Sequence, residues 1–467
     1  MSLSFLGLED LYKINAIPTL VLSLGLLGII GILLTLGRRL DSAMKLERFG
    51  IPIALLVGAL GFLIGPYGPF SLLPERVLNT WMQLPTPLLT LVFATLMLGR
   101  PIPRISALWK PVASQALLGL LLGFGQYVVG GIIVLSFLLP YLGVDPLMGC
   151  IIEVGFEGGH GAAAIMGESF MKLGFPEGLD LGFAMATVGL LASTLLGSGL
   201  VVLGRFFGWL VTTEQELPND FNDIELEINP IEQLKSLLYN FALLGLAVLI
   251  GIFFLYCLRL SSTFLSDISK QVILAFPVFP LALMGSFLVR FLLEKTGKTK
   301  LVSSLFQREI GILSTDLLII TAMAGLNLPL LVNYWVPITI LAIGGLIWNL
   351  VGMLIFSRLF FREEWFVRAI AEFGNSTGVA ASGLLLLRLA DPRNSTNTLP
   401  VFSIKQLFLQ PLLSGGLITV IAPLFISNFG LKGWTEFCGL ISLSLCVVAI
   451  SLQSKYTKAS ALSLIHI

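Results

Sequence analysis

Charge is what this sequence has least of. Only 12% of its 467 residues are Asp, Glu, Lys or Arg, while 56% are hydrophobic and the mean hydropathy is +0.94. Soluble domains carry about 25% charged residues. Half that share leaves too little polar surface to keep a folded chain in water. The scarcity excludes disorder and coiled coil. The net charge of +1 provides no basic field for nucleic acid. Cysteine is scarce too: Cys150, Cys257, Cys438 and Cys446 all sit in apolar runs with no CxxC among them, which excludes a disulfide scaffold. With only His160 and His466 beside them, no metal cluster is expected. No ATP-binding GxxxxGK[ST] occurs. The N-terminal MSLSFLGLEDLYKIN lacks the basic region of a cleavable signal.

Long apolar runs are what is present. A crossing helix needs about 20 apolar residues, and spans are predicted at 17–36, 51–70, 86–100, 112–141, 181–204, 236–258, 272–293, 310–326, 334–357, 401–428 and 432–452. Basic loop residues orient them. With the N-terminus outside, the inside loops hold Arg38, Arg39, Lys45, Arg48, Arg100, Arg104, Lys110, Arg205 and many more. The outside loops hold only Lys13, Arg76, Lys172, Arg259, Lys270 and Lys432. This bias requires that 146–171 and 366–390 each enter and leave on one side. The C-terminus then lies inside, in an inner (plasma) membrane.

The predicted fold is an all-α polytopic membrane protein of two inverted five-helix repeats with re-entrant broken helices, plus one extra C-terminal span. The first repeat is 1–211, the acidic stretch 212–235 is a cytoplasmic linker, the second repeat is 236–428, and 429–467 holds the extra span and tail. An odd number of spans per half inverts the second half. LVFATLMLGRPIP at 91–103 aligns without a gap to LLIITAMAGLNLP at 317–329, matching Thr95 with Thr321 and Gly99 with Gly325.

The stretches 146–171 and 366–390 occupy corresponding places in the halves. Each has a small, polar centre between apolar runs: Glu157-Gly158-Gly159-His160-Gly161 and Gly374-Asn375-Ser376-Thr377-Gly378. Glycine costs about 1 kcal/mol inside a helix, so its clustering at membrane depth marks unwound backbone. Paired broken helices near the midplane are the pattern of secondary transporters. These ten residues are the candidate substrate site, with helix N-termini after Gly161 and Gly378 aimed at a carboxylate. Two readings stay open for several of them. Asn375, Ser376 and Thr377 either donate to substrate or cap a helix; His160 is either functional or a satisfied core histidine. Glu153, Glu157 and Glu372 either bind a cation or a substrate ammonium, or are protonated and structural. Thr95, Asp316 and Thr321, on the paired third spans, are the candidate ion site, being hard oxygen ligands suited to sodium.

With Gln126, LGVDPLMG at 142–149, GGHG at 158–161, ATVGLL at 186–191, the following LLGSG, and Gly374 with Gly378, the chain resembles the bacterial sodium/glutamate symporters from about residue 15 to 428. The resemblance implies sodium-coupled glutamate uptake, two inverted five-helix halves, two re-entrant elements, a homodimer and an elevator-like movement. It implies no cofactor besides the sodium ion, and no enzymatic activity. Where the family has a small hydroxyl residue before GGHG, this chain has Glu157. Where an Asp is expected in the last shared span, it has Thr419. The alternatives are a proton- or sodium-coupled symporter for another small carboxylate or amino acid, and a passive channel or permease.

Overall fold

The computed structural model describes residues 109–210, 230–262, 276–361, 364–392, 395–396, 398–410 and 412–465, and parts of 28–39, 53–99 and 270–274. Of the first expected span only parts of 28–36 are described, as helix, and the linker through residue 229 and both chain ends lie outside the described residues. Every regular element among those described is helical. In a bilayer, backbone groups find no water, so a helix that pairs its own backbone is the economical solution.

The described chain divides into two compact units, each drawing on both halves of the sequence. The first comprises residues up to Arg100 and Ser236–Gly325; the second comprises Pro101–Lys235 and Leu326 onward. In each half the cut falls at the end of the third span.

The first unit holds α1 (Ile53–Ile64) and α2 (Pro85–Leu98) from the first half. From the second half it holds α7 (Pro230–Ser261) from Ser236 onward, α8 (Phe279–Lys295) and α9 (Ser304–Ala324). Small residues let these helices approach: Gly251 meets the Ala282 backbone and Gly285 meets Ala247 O. Ala94, Leu98, Leu244, Ala247, Ala282 and Val289 form its core. The helices α2 and α9 run antiparallel, since Thr95 faces Gly311 while Gly99 faces Gln307. Both end at the glycines paired in the sequence alignment, with Gly99 and Gly325 as C-caps.

The second unit is built on α3 (Trp109–Ile133), α6 (Gly178–Phe206) and α11 (Trp335–Val351). Between α3 and α6 lie α4 (Ile151–Phe156) and α5 (Gly159–Lys172). After α9, a short α10 (Leu328–Asn333) leads into α11, and then come α12 (Trp365–Ala390), α13 (Thr398–Leu409) and α14 (Leu417–Ile465). Helices α3 and α11 pack antiparallel, with Gly344 against Ile133, Gly125 against Trp348 and Gly352 against Leu122. Each is continued by a π-helical turn, Val134–Leu138 and Gly352–Phe356, directly before one of the two odd stretches.

Those odd stretches fold back on themselves. Along α6, Phe170 lies at Gly178, Gly167 at Leu179, Ala163 at Gly182, Gly155 at Met185 and Phe156 at Gly189. Both arms of the first hairpin, α4 and α5, therefore lie along the N-terminal half of α6. In the second, Gly374 and Gly383 touch backbone to backbone, so α12 doubles back at Gly378 and Val379, whose backbone angles leave the helical range. Its tip reaches Gly189 and Ser193, and its two bases reach Gly204 and Arg205, where Arg205 donates to Leu389 O at 2.6 Å. The hairpins thus run in from opposite ends of α6 and meet at its middle.

Six helical stretches are long and apolar enough to cross a membrane among the described residues, and α12 is one of them by length and composition. Its doubling back overrides that count.

One expectation needs correction. The span expected at 401–428 is interrupted after Leu409 and resumes at Leu417, with Ser414 and Gly415 at φ of 58° and 90°. The intervening PLLSGG supplies a proline, which has no N–H, and two glycines, so the helix has neither donor nor stiffness to continue. The expected extra span is the arm after Gly430, where α14 turns (φ 83°, ψ 155°) and Phe425 packs on Trp434 at 5.2 Å. That arm covers α3 through Tyr127–Trp434 and Gly131–Thr435.

Candidate functional site

The two hairpin tips touch. At Gly159 φ is +66°, and a β-carbon there would stand 2.4 Å from Val379 Cγ1, so this position needs glycine for both conformation and space. Val379 itself has φ +66° and ψ 173°. For a β-branched residue this is a strained conformation, of the kind held in place at functional sites by surrounding contacts.

Around the tips lies a set of buried polar side chains. Asn375 donates to Glu157 Oε1 at 3.4 Å and accepts from Gln406. Ser376 O accepts from Gln126 at 2.6 Å and from Asn349 at 3.0 Å, and Asn349 also donates to Thr377 Oγ1 at 3.0 Å. Two polar side chains from α3 and α11 thereby hold the tip of the second hairpin. Ser376 Oγ donates back to Glu372 O at 2.8 Å. Gly378 sits against Ser193 and Ser382, and Gly158 against Ala162 and Val154.

His160 is tied to α6: its Nε2 lies 3.0 Å from Thr187 Oγ1, and the Thr187 proton goes to Phe183 O. The imidazole therefore donates through Nε2. Gly161 is buried in the first turn of α5. That helix starts at Gly159, not after Gly161 as expected, because the positive φ at Gly159 makes the turn earlier. The second arm of α12 follows Gly378 and Val379, close to expectation.

Each hairpin has a buried carboxyl deeper along its first arm. Glu153 accepts from Tyr127 at 2.5 Å, Thr419 at 2.9 Å and the Ser414 N–H at 3.2 Å. The interruption after Leu409 thus aims a freed backbone donor at a buried carboxylate. Glu372 accepts from Gln115 at 2.9 Å and pairs with Lys405 at 2.8 Å, both partners of the pair being 0% exposed. Sequence reasoning missed Gln115, Asn349, Lys405 and Gln406. Lys405 carried a signal, as the lone cation of the apolar TLPVFSIKQLFL. Arg368, on the first arm of α12, lies 5.4 Å over the Phe361 ring.

The three ion-site candidates belong to the first unit, and the structure does not gather them. Thr95 donates to Val92 O and faces Gly311, whereas Thr321 donates to Leu317 O. Thr321 lies ten residues beyond Gly311 on α9, about 15 Å along the axis. Antiparallel packing of α2 and α9 separates what the sequence alignment superimposes. Asp316 is half-buried between these levels.

A cavity of about 710 Å³ lies at the base of the first hairpin, between Leu142–Val144, Glu177 and the Asn327–Pro337 segment. No tip residue lines it. Beside it, burial raises the Asp145 carboxyl above its ordinary range, against a 2.7 Å hydrogen bond from Leu147 N–H.

A helical, multi-pass framework with two opposed hairpins is suited to moving a solute across a membrane, and sequence comparison identifies the kind. The sodium/glutamate symporter profile matches residues 12–364, so the chain belongs to the sodium/glutamate symporter family. It is a sodium-coupled membrane transporter. The match begins near the expected residue 15 but ends directly before the second hairpin, short of the expected 428. No curated protein matches the chain. Among solved structures, the sodium proton antiporter MjNhaP1 from Methanocaldococcus jannaschii is similar at 16% identity and a TM-score of 0.40. The likeness spans 88% of this chain and 99% of that one.

Proposed function

We propose that this protein takes up glutamate or a related small amino acid with sodium across the inner membrane, binding it where the two hairpin tips meet. The observation that carries this reading is the contact of Gly159 with Val379, which brings two unwound segments together amid buried donors and acceptors. Asn375, Ser376, Thr377 and the backbone of Gly158–Gly161, Gly374 and Gly378 are the groups for the substrate carboxylate. Glu157 is the group for the α-ammonium.

Inverted repeats fit the same observations. The π turns before both hairpins, the glycine caps of α2 and α9 and the opposed hairpin directions all support them. In this reading the hairpins are re-entrant, the N-terminus is outside and the C-terminus inside, and the transporter is a homodimer. The ion site keeps Asp316 as a candidate.

Uptake of labelled amino acids into proteoliposomes, with and without a sodium gradient, tests the proposal. Glutamate uptake that rises with the gradient supports it; uptake of neither glutamate nor another amino acid overturns it. In the same assay Glu157→Ser, which restores the residue type usual in the family, should alter the ranking of amino acids against amine-free dicarboxylates. An unchanged ranking removes Glu157 from the ammonium. Cysteines at Thr213 and Arg76 should label from opposite sides.

A further inference from the structure

Three carboxyls and one lysine face a single stripe of α3. Gln115 meets Glu372, Gly119 meets Lys405 and Glu372, Gly123 meets Glu157, and Tyr127 meets Glu153. These α3 positions are four residues apart, so they stack on one face, one turn above another. If all three carboxyls were ionised, Lys405 would balance only one of them.

Their hydrogen bonds separate them. Both oxygens of Glu153 are fed, by Tyr127 on one and by Thr419 and Ser414 on the other. Both oxygens of Glu372 are fed, by Gln115 and Lys405. An ionised carboxylate only accepts, and these two are supplied accordingly. Glu157 is not. One oxygen has the long 3.4 Å bond from Asn375, and the other, Oε2, has no hydrogen-bond partner. Oε2 faces the Gly123 backbone and the Leu413 methyls, yet the residue is 2% exposed. A buried charge without donors is the costliest state such a group can take.

We propose that Glu157 carries an exchangeable proton, released when a cation takes its place at the hairpin tip. The cation is a substrate ammonium or a sodium ion, and the exchange balances. The carboxyl O–H breaks, its proton leaves to water, and the carboxylate pairs with the incoming positive charge. The groups around Glu157 leave it as the exchanging member. Glu153 lies on its own helix, Glu372 and Asn375 come from α12, and Lys405 comes from α13. The stripe of α3 presents only Gly123 at this level, and His160 is engaged with Thr187 on α6. The ammonium arm of the proposal rests on the substrate reading above; the resting proton does not.

Infrared spectroscopy of the purified full chain tests it at neutral pH. The expected result is a protonated-carboxyl C=O band that disappears in Glu157→Gln, moves but persists in Glu157→Asp, and stays in Glu153→Gln. Sodium chloride, against choline chloride, and L-glutamate without sodium are then added separately in weak buffer with a pH dye. Loss of the band with proton release on sodium identifies the ion as the replacing cation, and on glutamate the ammonium. A band that survives Glu157→Gln, or that neither addition diminishes, overturns the proposal. If Glu157→Gln does not fold, a Glu157→Asp band at the wild-type position overturns it equally. Amino-acid uptake failing while the band behaves as expected overturns the substrate reading and leaves the proton in place.

Discussion

The first hairpin is held by a loop and the second by an ion pair, although they share a pattern. Glu153, Gly155 and Gly159 in one follow the same spacing as Glu372, Gly374 and Gly378 in the other. Both glutamates lie buried on the first arm, and both tips reach the middle of α6. In the first hairpin the glutamate is anchored by a tyrosine, a threonine and a backbone N–H from an interrupted helix. In the second it is anchored by a glutamine and a fully buried lysine. The tips differ as well: the first presents the carboxyl of Glu157, the second only amide and hydroxyl groups. One repeated geometry thus carries two chemistries: a carboxyl tip above a carboxylate held by uncharged donors, and an amide and hydroxyl tip above an ion pair.

The anchors differ most in what their loss costs. Removing one partner of a buried pair strands the other charge, at about 3–5 kcal/mol. Lys405→Met should therefore lower thermal stability in detergent severely, while Lys405→Met with Glu372→Gln recovers most of the loss. Equal losses in the single and double variants would show that the pair is not what holds the second hairpin.

Next in size is the contact that joins the hairpins. Gly159→Ala places a β-carbon against Val379 and a side chain on a left-handed residue, costing about 1–3 kcal/mol. Val379→Gly in the same chain should restore part of it, because it removes both the clashing methyl and the strained valine. No recovery would mean the tips do not share this contact.

A third experiment asks whether ion coupling resides outside the hairpins altogether. Asp316→Asn should raise the sodium needed for half-maximal uptake several-fold and leave substrate affinity nearly unchanged. An unaltered sodium activation curve removes Asp316 and returns the coupling ion to the second unit.

The smallest effect is expected where the second hairpin exits. Partial burial opposes ionisation of Asp391, but hydrogen bonds from both Thr396 and Ser395 hold its carboxyl below the ordinary range. A depressed carboxyl stabilises the fold above the pH where the unfolded group ionises, and that stability is lost as pH falls through the folded value. Asp391→Asn should cost about 1 kcal/mol or less at neutral pH, given the partial exposure. The difference should vanish in acid. A pH-independent difference in melting temperature would assign the loss to packing.

Much of this was legible in the sequence, because bilayers impose a simple rule: a long apolar run becomes a helix, and a glycine-rich polar centre marks where it breaks. The hairpins at 146–171 and 366–390, and the turn between the last two arms near Gly430, follow from that rule. The alignment that pairs Thr95 with Thr321 likewise placed the glycine ends of α2 and α9. What it did not supply was partnership. Thr95 and Thr321 correspond in sequence but not in space, since antiparallel packing carries them to different levels. Lys405 reads as an isolated cation near a span end until Glu372, thirty-three residues earlier, is found against it. Thr419 stands where a carboxylate was expected, and the carboxylate facing it comes from Glu153, on another helix. The sequence by itself determined which segments are helical and where they interrupt, because hydropathy and glycine act locally. Only the tertiary structure decided which buried carboxyls are supplied with donors and which is not, because that depends on groups brought together from distant helices.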